Sequence, residues 1–142
     1  MPLSTYARQK LYDFADAENV RVVSFPLPEC RSVAMPMVSG AVVGIDCSAP
    51  MTSAEETVCL AHELGHCATG SFYSRKTPFE TRERCERRAD VWCIRRLVPP
   101  QTLRRLLREG RDADEIAEIL GVTEDCVVKA YYYYKDACGE TF

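Results

Sequence analysis

The sequence lacks several features that would place it in other classes of protein. No apolar run approaches the length needed to span a membrane, so a membrane protein is not expected. The start of the chain has no apolar segment of the signal-peptide kind, and the eight cysteines include no Cys-x-x-Cys pair. We therefore expect a cytoplasmic protein with reduced thiols and without a structural zinc site made of cysteines.

Basic residues are also too few to give the whole protein a positive field. Its 18 Lys and Arg residues are outnumbered by 21 Asp and Glu residues, which gives a formal net charge of −3. Since a phosphate backbone is held by an excess of positive charge, nucleic acid is not expected as a direct partner. The 142 residues, 46% of them hydrophobic, suffice for one core, and we expect residues 1–142 to form a single domain.

The chain does contain a pair of histidines, the only two it has, with a glutamate beside the first. His62, Glu63 and His66 form the pattern His-Glu-x-x-His, and on a helix this spacing places both imidazoles on one face. Two neutral imidazoles are good zinc ligands, while Glu63, about 100° further round the helix, can reach a water molecule without binding the metal. Gly65 would let another backbone approach this helix closely. The pattern predicts a zinc hydrolase, and a chance histidine pair on a polar helix face is the alternative.

The rest of the chain predicts short strands followed by helices. Ser53 and Glu56 indicate a capping box at the start of the histidine helix, and Gly70 indicates its end. Thr77 and Pro78 indicate the N-cap and first residue of the next long helix. The complete prediction is a helix over 5–17, strands over 20–25, 32–37 and 40–46, and helices over 54–69, 78–97, 101–109, 112–120 and 123–137. This order predicts an α+β fold with a small three-stranded sheet.

Two of the predicted strands bear on substrate binding. Pro36 indicates that the strand over 32–37 is irregular or lies at an edge, because proline cannot donate to a strand ladder. We expect the strand over 40–46 to form the sheet edge along the cleft. Such an edge would pair with an extended peptide through backbone hydrogen bonds, without demanding much of the peptide's sequence.

A catalytic zinc has three protein ligands and one open position, and the chain has no third histidine. The third ligand must therefore be a carboxylate or a thiolate. We favour Glu86, because Asp90 lies four residues later on the same helix face and can hold a ligand imidazole through its outer N–H. Glu80 and Glu83 are the competing carboxylates. In the alternative without a metal, all of these acidic residues belong to a solvated, arginine-paired helix face.

Two stretches of the sequence resemble a known family. HELGHCATGSFY, followed by ERRADVWCIRRLVPP, is similar to the ImmA/IrrE metallopeptidases, whose pattern is a HExxH helix and a later Glu-x-x-Ala-Asn/Asp helix ending in Leu-x-Pro. The similarity extends over nearly the whole chain. It implies a small zincin-like domain with His62, His66 and Glu86 as Zn²⁺ ligands and Glu63 as catalytic base. It also implies a protein substrate, a helix-turn-helix repressor of a mobile genetic element, such as a prophage, or of a stress response.

Peptide-bond cleavage also needs a hydrogen-bond donor for the oxyanion besides zinc. Histidine is excluded for this role, because both histidines are predicted ligands. Tyr73, in the loop after the histidine helix, is the candidate, with Arg75 and the tyrosines at 131–134 as alternatives. Half-buried packing is the competing role for each of these tyrosines.

Two functions outside catalysis are kept as alternatives. The helices over 112–120 and 123–137, joined at Gly121, resemble a helix-turn-helix and would suit a DNA-binding regulator. The second of these helices begins with Glu124 and Asp125, whose charge has the wrong sign for phosphates. The other alternative is a catalytically silent zinc-binding adaptor, since zinc ligands can be present without turnover.

Overall fold

The computed structural model describes residues 3–28, 30–46, 48 and 50–142. Its helices are α1 (Leu3–Ala17), α2 (Ser53–Thr69), α3 (Phe79–Leu97), α4 (Pro100–Arg108), α5 (Ala113–Leu120) and α6 (Glu124–Tyr132), and its strands are β1 (Val20–Ser24), β2 (Ser32–Pro36) and β3 (Ala41–Ile45). The predicted order of elements and the α+β class, that of a small zincin-like domain, are confirmed. Among the described residues, no helix is both long enough and apolar enough to serve as a membrane span.

The sheet has the strand order β1-β3-β2, so β3 lies in its centre. β3 pairs in parallel with β1 and antiparallel with β2. The prediction that residues 40–46 form the sheet edge was therefore wrong. β3 is buried along most of its length, as a central strand must be, and partner strands already occupy both of its sides. β2, which ends in Pro36, is an edge strand, as the proline indicated.

The histidine helix α2 begins one residue earlier than the sequence pattern predicted. Thr52 is the N-cap: its Oγ1 accepts a hydrogen bond from the Glu55 N–H at 3.1 Å, and the Glu55 carboxylate accepts one from the Thr52 N–H at 3.4 Å. The capping box therefore uses these two residues instead of Ser53 and Glu56. Ser53 accepts a hydrogen bond from the Arg8 guanidinium instead, which ties α2 to α1.

The loop between α2 and α3 is closed at both ends by local hydrogen bonds. α2 ends where predicted, because Gly70 takes a left-handed φ of 63° and its N–H bonds to a carbonyl of the last helical turn. At the other end Pro78 is the N-cap of α3, and Phe79 is the first helical residue. Thr77, the predicted cap, accepts a hydrogen bond from the Ser74 N–H at 3.1 Å and so stabilises the loop instead.

α2 and α3 pack closely because Gly65 has no side chain. A Cβ atom at this position would lie 2.7 Å from the Ala89 carbonyl oxygen and 3.0 Å from the Ala89 Cα. The close backbone approach that the glycine predicted is therefore present. It brings the acidic residues of α3 against the histidine face of α2.

Gly65→Ala is expected to destabilise the protein by about 1–3 kcal/mol, because the new methyl group would force the two helices apart. At an open helical position the same change stabilises by about 1 kcal/mol, so the sign of the effect is diagnostic. Urea denaturation followed by circular dichroism measures it. Ala68→Leu, on the exposed side of α2, is the control and should change stability by less than about 0.5 kcal/mol. A more stable Gly65→Ala protein would contradict the close approach.

The C-terminal helices pack on the rest of the fold. α5 contacts α1, and α6 contacts both α5 and α3. The helix predicted over 123–137 ends at Tyr132 and continues as a π-helical segment, Tyr133–Ala137. Within that segment Tyr134 is 1% exposed, and its hydroxyl donates to the Val98 carbonyl at 2.7 Å. This buried hydrogen bond ties the end of the chain to the residue that follows α3.

Candidate metal centre

Both histidines lie on the face of α2 that α3 covers. His66 is buried and His62 is half-buried. Their ring centroids are 4.9 Å apart, and the ring planes are nearly perpendicular, at 84°. Leu60 and Leu64 lie in the core and anchor the helix, so the two rings are carried by a rigid element. The predicted pairing of the imidazoles on one helix face is therefore present.

The Nδ1 atom of each ring is already engaged by the protein. His62 Nδ1 lies 2.8 Å from Asp90 Oδ1, and His66 Nδ1 lies 2.7 Å from the Ser71 carbonyl oxygen. An Nδ1–H that donates to an oxygen leaves the lone pair on Nε2, where a metal can bind. The part played by Ser71 was missed from the sequence, because a backbone carbonyl leaves no signal in the residue pattern.

The pairing of His62 with Asp90 also shifts the protonation of both groups. Burial acts against charge on the His62 ring, yet the hydrogen bond and the charge of Asp90 raise its pKa above the ordinary value. Burial likewise acts to raise the pKa of Asp90, but its hydrogen bond to His62 lowers that pKa below the ordinary value. Asp90 therefore stays ionised and increases the basicity of the ring, as acidic partners of metal-binding histidines do.

The Nε2 atoms of both rings face the carboxylate of Glu86. Glu86 Oε2 lies 2.8 Å from His62 Nε2, and Oε1 lies 3.3 Å from His66 Nε2. Ligand atoms bound at about 2 Å to a tetrahedral zinc lie about 3.3 Å from one another, so these two distances are close to those between the ligands of a metal site. Two imidazoles and one carboxylate also have the chemistry of a catalytic zinc site. Glu80 and Glu83 are exposed.

Glu63 lies next to this donor set on a neighbouring sector of α2. Glu63 is 5% exposed. The ligand atoms that His62, Glu63 and His66 could offer to a metal all lie within 4.8 Å of one another. Glu63 Oε2 has no hydrogen-bond partner among the described residues. Buried polar atoms are rarely left unpaired, so this oxygen is suited to accept a proton or hydrogen bond from a bound molecule. Burial raises the pKa of Glu63, although the two rings oppose the rise.

Tyr73 reaches the site from the loop after α2. Its hydroxyl donates a hydrogen bond to Glu86 Oε1, and its ring lies edge-on to His66 with the centroids 6.0 Å apart. The hydrogen bond to Glu86, helped by partial burial, raises the pKa of Tyr73 to about 12. The phenol therefore stays protonated near neutral pH and can act as a donor. Arg75 is exposed in the same loop, and the tyrosines at 131–134 pack on one another at the C-terminal end.

Two of the cavities that adjoin the donor set lie on its β2 and α6 sides. One, of about 200 Å³, lies between the edge strand β2 and the loop after α2; its lining includes Ser32, Val33, Ala34, Glu63, His66, Tyr73 and Glu86. The other, of about 340 Å³, has a mixed polar and apolar lining rich in sulfur, which includes Cys59, Cys93, Cys126, His62 and Asp90. The residues of β2 were not predicted to lie here, because their position depends on which strand occupies the sheet edge.

The helix-turn-helix-like pair lies beside the metal centre. Asp125 and Lys129 of α6 line the larger cavity together with His62. The first turn of α6 carries Glu124 and Asp125, as the sequence indicated. The exposed start of this helix is therefore acidic, a property that opposes phosphate binding.

A comparison with protein-family models matches residues 15–131 to Peptidase_M78, the IrrE N-terminal-like domain. The matched segment holds both histidines, the three acidic residues around them and Tyr73. A comparison with functionally curated proteins gives no match. Because the family model covers most of the chain, this protein belongs to the IrrE N-terminal-like domain family, a family of metallopeptidases.

Proposed function

We propose that this protein is a zinc-dependent endopeptidase that cleaves a protein substrate. One observation carries the proposal: the Nε2 atoms of His62 and His66 converge on the Glu86 carboxylate, beside the buried Glu63, whose Oε2 has no hydrogen-bond partner among the described residues. A set of three donors and an adjacent base are the parts that zinc-assisted hydrolysis requires from a protein. Membership of a metallopeptidase family supports the same conclusion.

His62, His66 and Glu86 are assigned as the residues that hold zinc. Asp90 and the Ser71 carbonyl orient the two imidazoles through their Nδ1 atoms. A zinc ion held there supplies a Lewis acid that activates water for attack on a peptide carbonyl. His66 is buried and His62 and Glu86 are half-buried, so the donors are partly shielded from solvent, which strengthens electrostatic interactions among them.

Glu63 is assigned as the general base. Its carboxylate takes the proton of the attacking water and then gives it to the leaving amine. Burial raises the pKa of Glu63 in the direction of neutral pH. A carboxyl group with such a pKa is better suited both to take up the proton and to release it. The protonated hydroxyl of Tyr73 is assigned as a donor to the oxyanion of the tetrahedral intermediate.

The free edge of β2 is assigned to substrate binding. β2 lines the cavity that also contains Glu63 and His66, and among the described residues only β3 pairs with it, along one of its two sides. An extended peptide added to the other side would pair with the backbone and lie alongside the donor set. The edge-pairing role predicted for residues 40–46 thus passes to β2, since β3 has no free edge.

The resemblance to ImmA/IrrE metallopeptidases supports a helix-turn-helix repressor as the substrate class. An edge strand binds extended backbone, so the scissile bond should lie in an exposed, non-helical segment of that repressor. The protein would then act inside the cell, in the control of a mobile genetic element or a stress response. The acidic start of α6 disfavours the alternative of direct DNA binding.

Incubating the purified protein with zinc and the product of a neighbouring repressor gene tests this function. We expect two fragments from a single cut, located by mass spectrometry, and no fragments when a chelator is present. An intact repressor in contact with fully zinc-loaded protein would favour the adaptor. Retention of the protein on DNA at moderate salt would favour the DNA-binding regulator.

Tyr73→Phe is expected to lower kcat by about 10²-fold with little change in KM, because it removes one donor to the transition state and no ligand. Zinc content should be unchanged. Steady-state cleavage of the repressor measures both constants. Tyr132→Phe, at an exposed tyrosine of α6, is the matched control and should behave as wild type. Equal kcat values for the two variants would remove Tyr73 from the mechanism.

A further inference from the structure

α3 presents a stripe of arginines on the side of the helix that faces away from the metal centre. Six of the chain's 18 Lys and Arg residues lie on this helix. At about 100° per residue, its positions 84, 87, 88, 91, 92 and 95 fall within an arc of about 140°, and Glu86 and Asp90 lie outside it. Together with Thr69 of α2 these residues line a cavity of about 460 Å³, which we name the arginine groove: Arg84, Arg87, Arg88, Val91, Trp92 and Arg95.

Most of the positive charge of the arginine groove is unpaired in the part of the chain that the structure describes. Arg84, Arg87 and Arg88 are exposed, and within the described ranges none of them forms an ion pair. Exposed arginines elsewhere do pair, as Arg31 does with Glu55. Arg84 lies three and four residues before Arg87 and Arg88, and like charges at these spacings on a helix repel one another. An anionic partner would relieve that repulsion.

The floor of the arginine groove is aromatic and is held in place by its neighbours. Trp92 packs against Phe14 with the ring centroids 5.0 Å apart, and the Arg96 guanidinium lies over both rings. At one end Arg95 donates a hydrogen bond to the Tyr133 hydroxyl at 3.3 Å. The groove therefore combines a fixed apolar surface with guanidinium groups, the two features that recur at the centre of protein interfaces.

We infer that the arginine groove binds an acidic segment of a protein partner, with a large apolar side chain of that segment seated against Trp92. Guanidinium groups bind carboxylates in a bidentate manner, so glutamate and aspartate side chains complement the stripe. The distance along α3 from Arg84 to Arg95 is about 16 Å, which is the length of about five residues of extended peptide. A nucleic acid would extend well beyond the groove and meet a protein of net charge −3.

The arginine groove is continuous with the surface around the metal centre. Arg87 lines both the groove and a neighbouring cavity of about 420 Å³ that contains Tyr73, Glu86 and Asp90. A partner held in the groove is therefore close to the donor set but touches none of the groups assigned to hydrolysis. Binding in the groove does not depend on the proposed peptidase activity and can be measured without it.

An acidic hexapeptide, Glu-Glu-Leu-Glu-Glu-Leu with blocked ends, is the probe. Trp92 is the only tryptophan of the chain, so its emission reports directly on the groove. We expect saturable binding that weakens about tenfold or more in the double variant Arg84→Gln, Arg88→Gln, and that also weakens as NaCl rises from about 0.05 M to about 0.5 M. Mass spectrometry after the titration verifies that the peptide is intact.

The matched control is the double variant Arg105→Gln, Arg108→Gln, which removes two exposed arginines of α4 outside the groove and should bind as wild type. The peptide with glutamine in place of glutamate should bind at least about tenfold more weakly, because it cannot form charged pairs. Circular dichroism verifies the fold; if the Arg84, Arg88 variant unfolds, Arg88→Gln alone replaces it. Equal affinity of the groove variant, equal binding of the neutral peptide, or displacement of the probe by a short single-stranded DNA at lower concentration would each overturn the inference.

Discussion

The Glu63→Gln protein is expected to keep its zinc and its fold, while repressor cleavage falls by at least about 10²-fold. Glutamine has the size of glutamate and keeps a carbonyl oxygen, but its amide cannot take up the proton of the attacking water. Because Glu63 is buried beside the donor set, with one oxygen unpartnered in the described structure, the change removes proton transfer and little packing. Single-turnover cleavage and metal analysis of the same preparation measure the two properties.

Glu56→Gln provides the same chemical change two helical turns earlier on α2 and should leave cleavage unaltered. If Glu63→Gln cleaves the repressor at the wild-type rate, another group must be the base and the proposed mechanism fails. If instead the variant loses both zinc and its circular dichroism signal, Glu63 has a structural role, since a general base is not required for folding.

The Glu86→Ala protein is expected to lose zinc, from one equivalent per chain to a small fraction of that, and to lose all detectable cleavage. The change removes the carboxylate that faces both Nε2 atoms and leaves only two imidazoles. The loss of affinity should exceed the roughly 10–100-fold that is typical for removing a group that only orients a ligand. Zinc content after dialysis against a weak chelator, measured by mass spectrometry, decides the assignment.

Two variants on the same helix calibrate this result. Glu83→Ala removes an exposed carboxylate and should retain a full equivalent of zinc. Asp90→Asn keeps the size of the side chain that holds His62 but not its charge, and should bind zinc about 10–100-fold more weakly. Tightly held, stoichiometric zinc in Glu86→Ala would mean that another group completes the donor set, and Glu63 would be the first to test.

The local elements of this fold could be predicted because their signals are short in range. The helical periodicity of the apolar residues and the glycine that follows them were sufficient to predict that α2 ends at Thr69. The predicted start of the same helix was wrong by one residue. Thr52 and Ser53 are both good N-caps, and only their hydrogen-bond partners show which of them caps the helix. Arg8 of α1, a distant residue in the sequence, engages Ser53, and such a partner does not show in a local pattern.

The order of the strands could not be predicted in the same way. The residues of β3 are apolar enough for a buried strand, but that property does not say which strands lie on its two sides. β3 pairs in parallel with β1 and antiparallel with β2. These pairings join strands that are distant in the sequence, and the local residue pattern does not favour one arrangement over another. The cleft therefore borders β2, and the edge proposed to bind substrate belongs to β2 instead of β3.

Residue spacing was sufficient to place His62, Glu63 and His66 on adjoining sectors of one helix, because helical geometry repeats every 3.6 residues whatever surrounds it. How α3 meets that helix depends on tertiary contacts. The backbone contact at Gly65 and Ala89 brings α3 close, and Glu86 then faces both Nε2 atoms. The short distances from Glu86 to His62 and His66 join residues that are 20 or more positions apart. Such distances arise from packing and cannot be read from the residue pattern of a single helix.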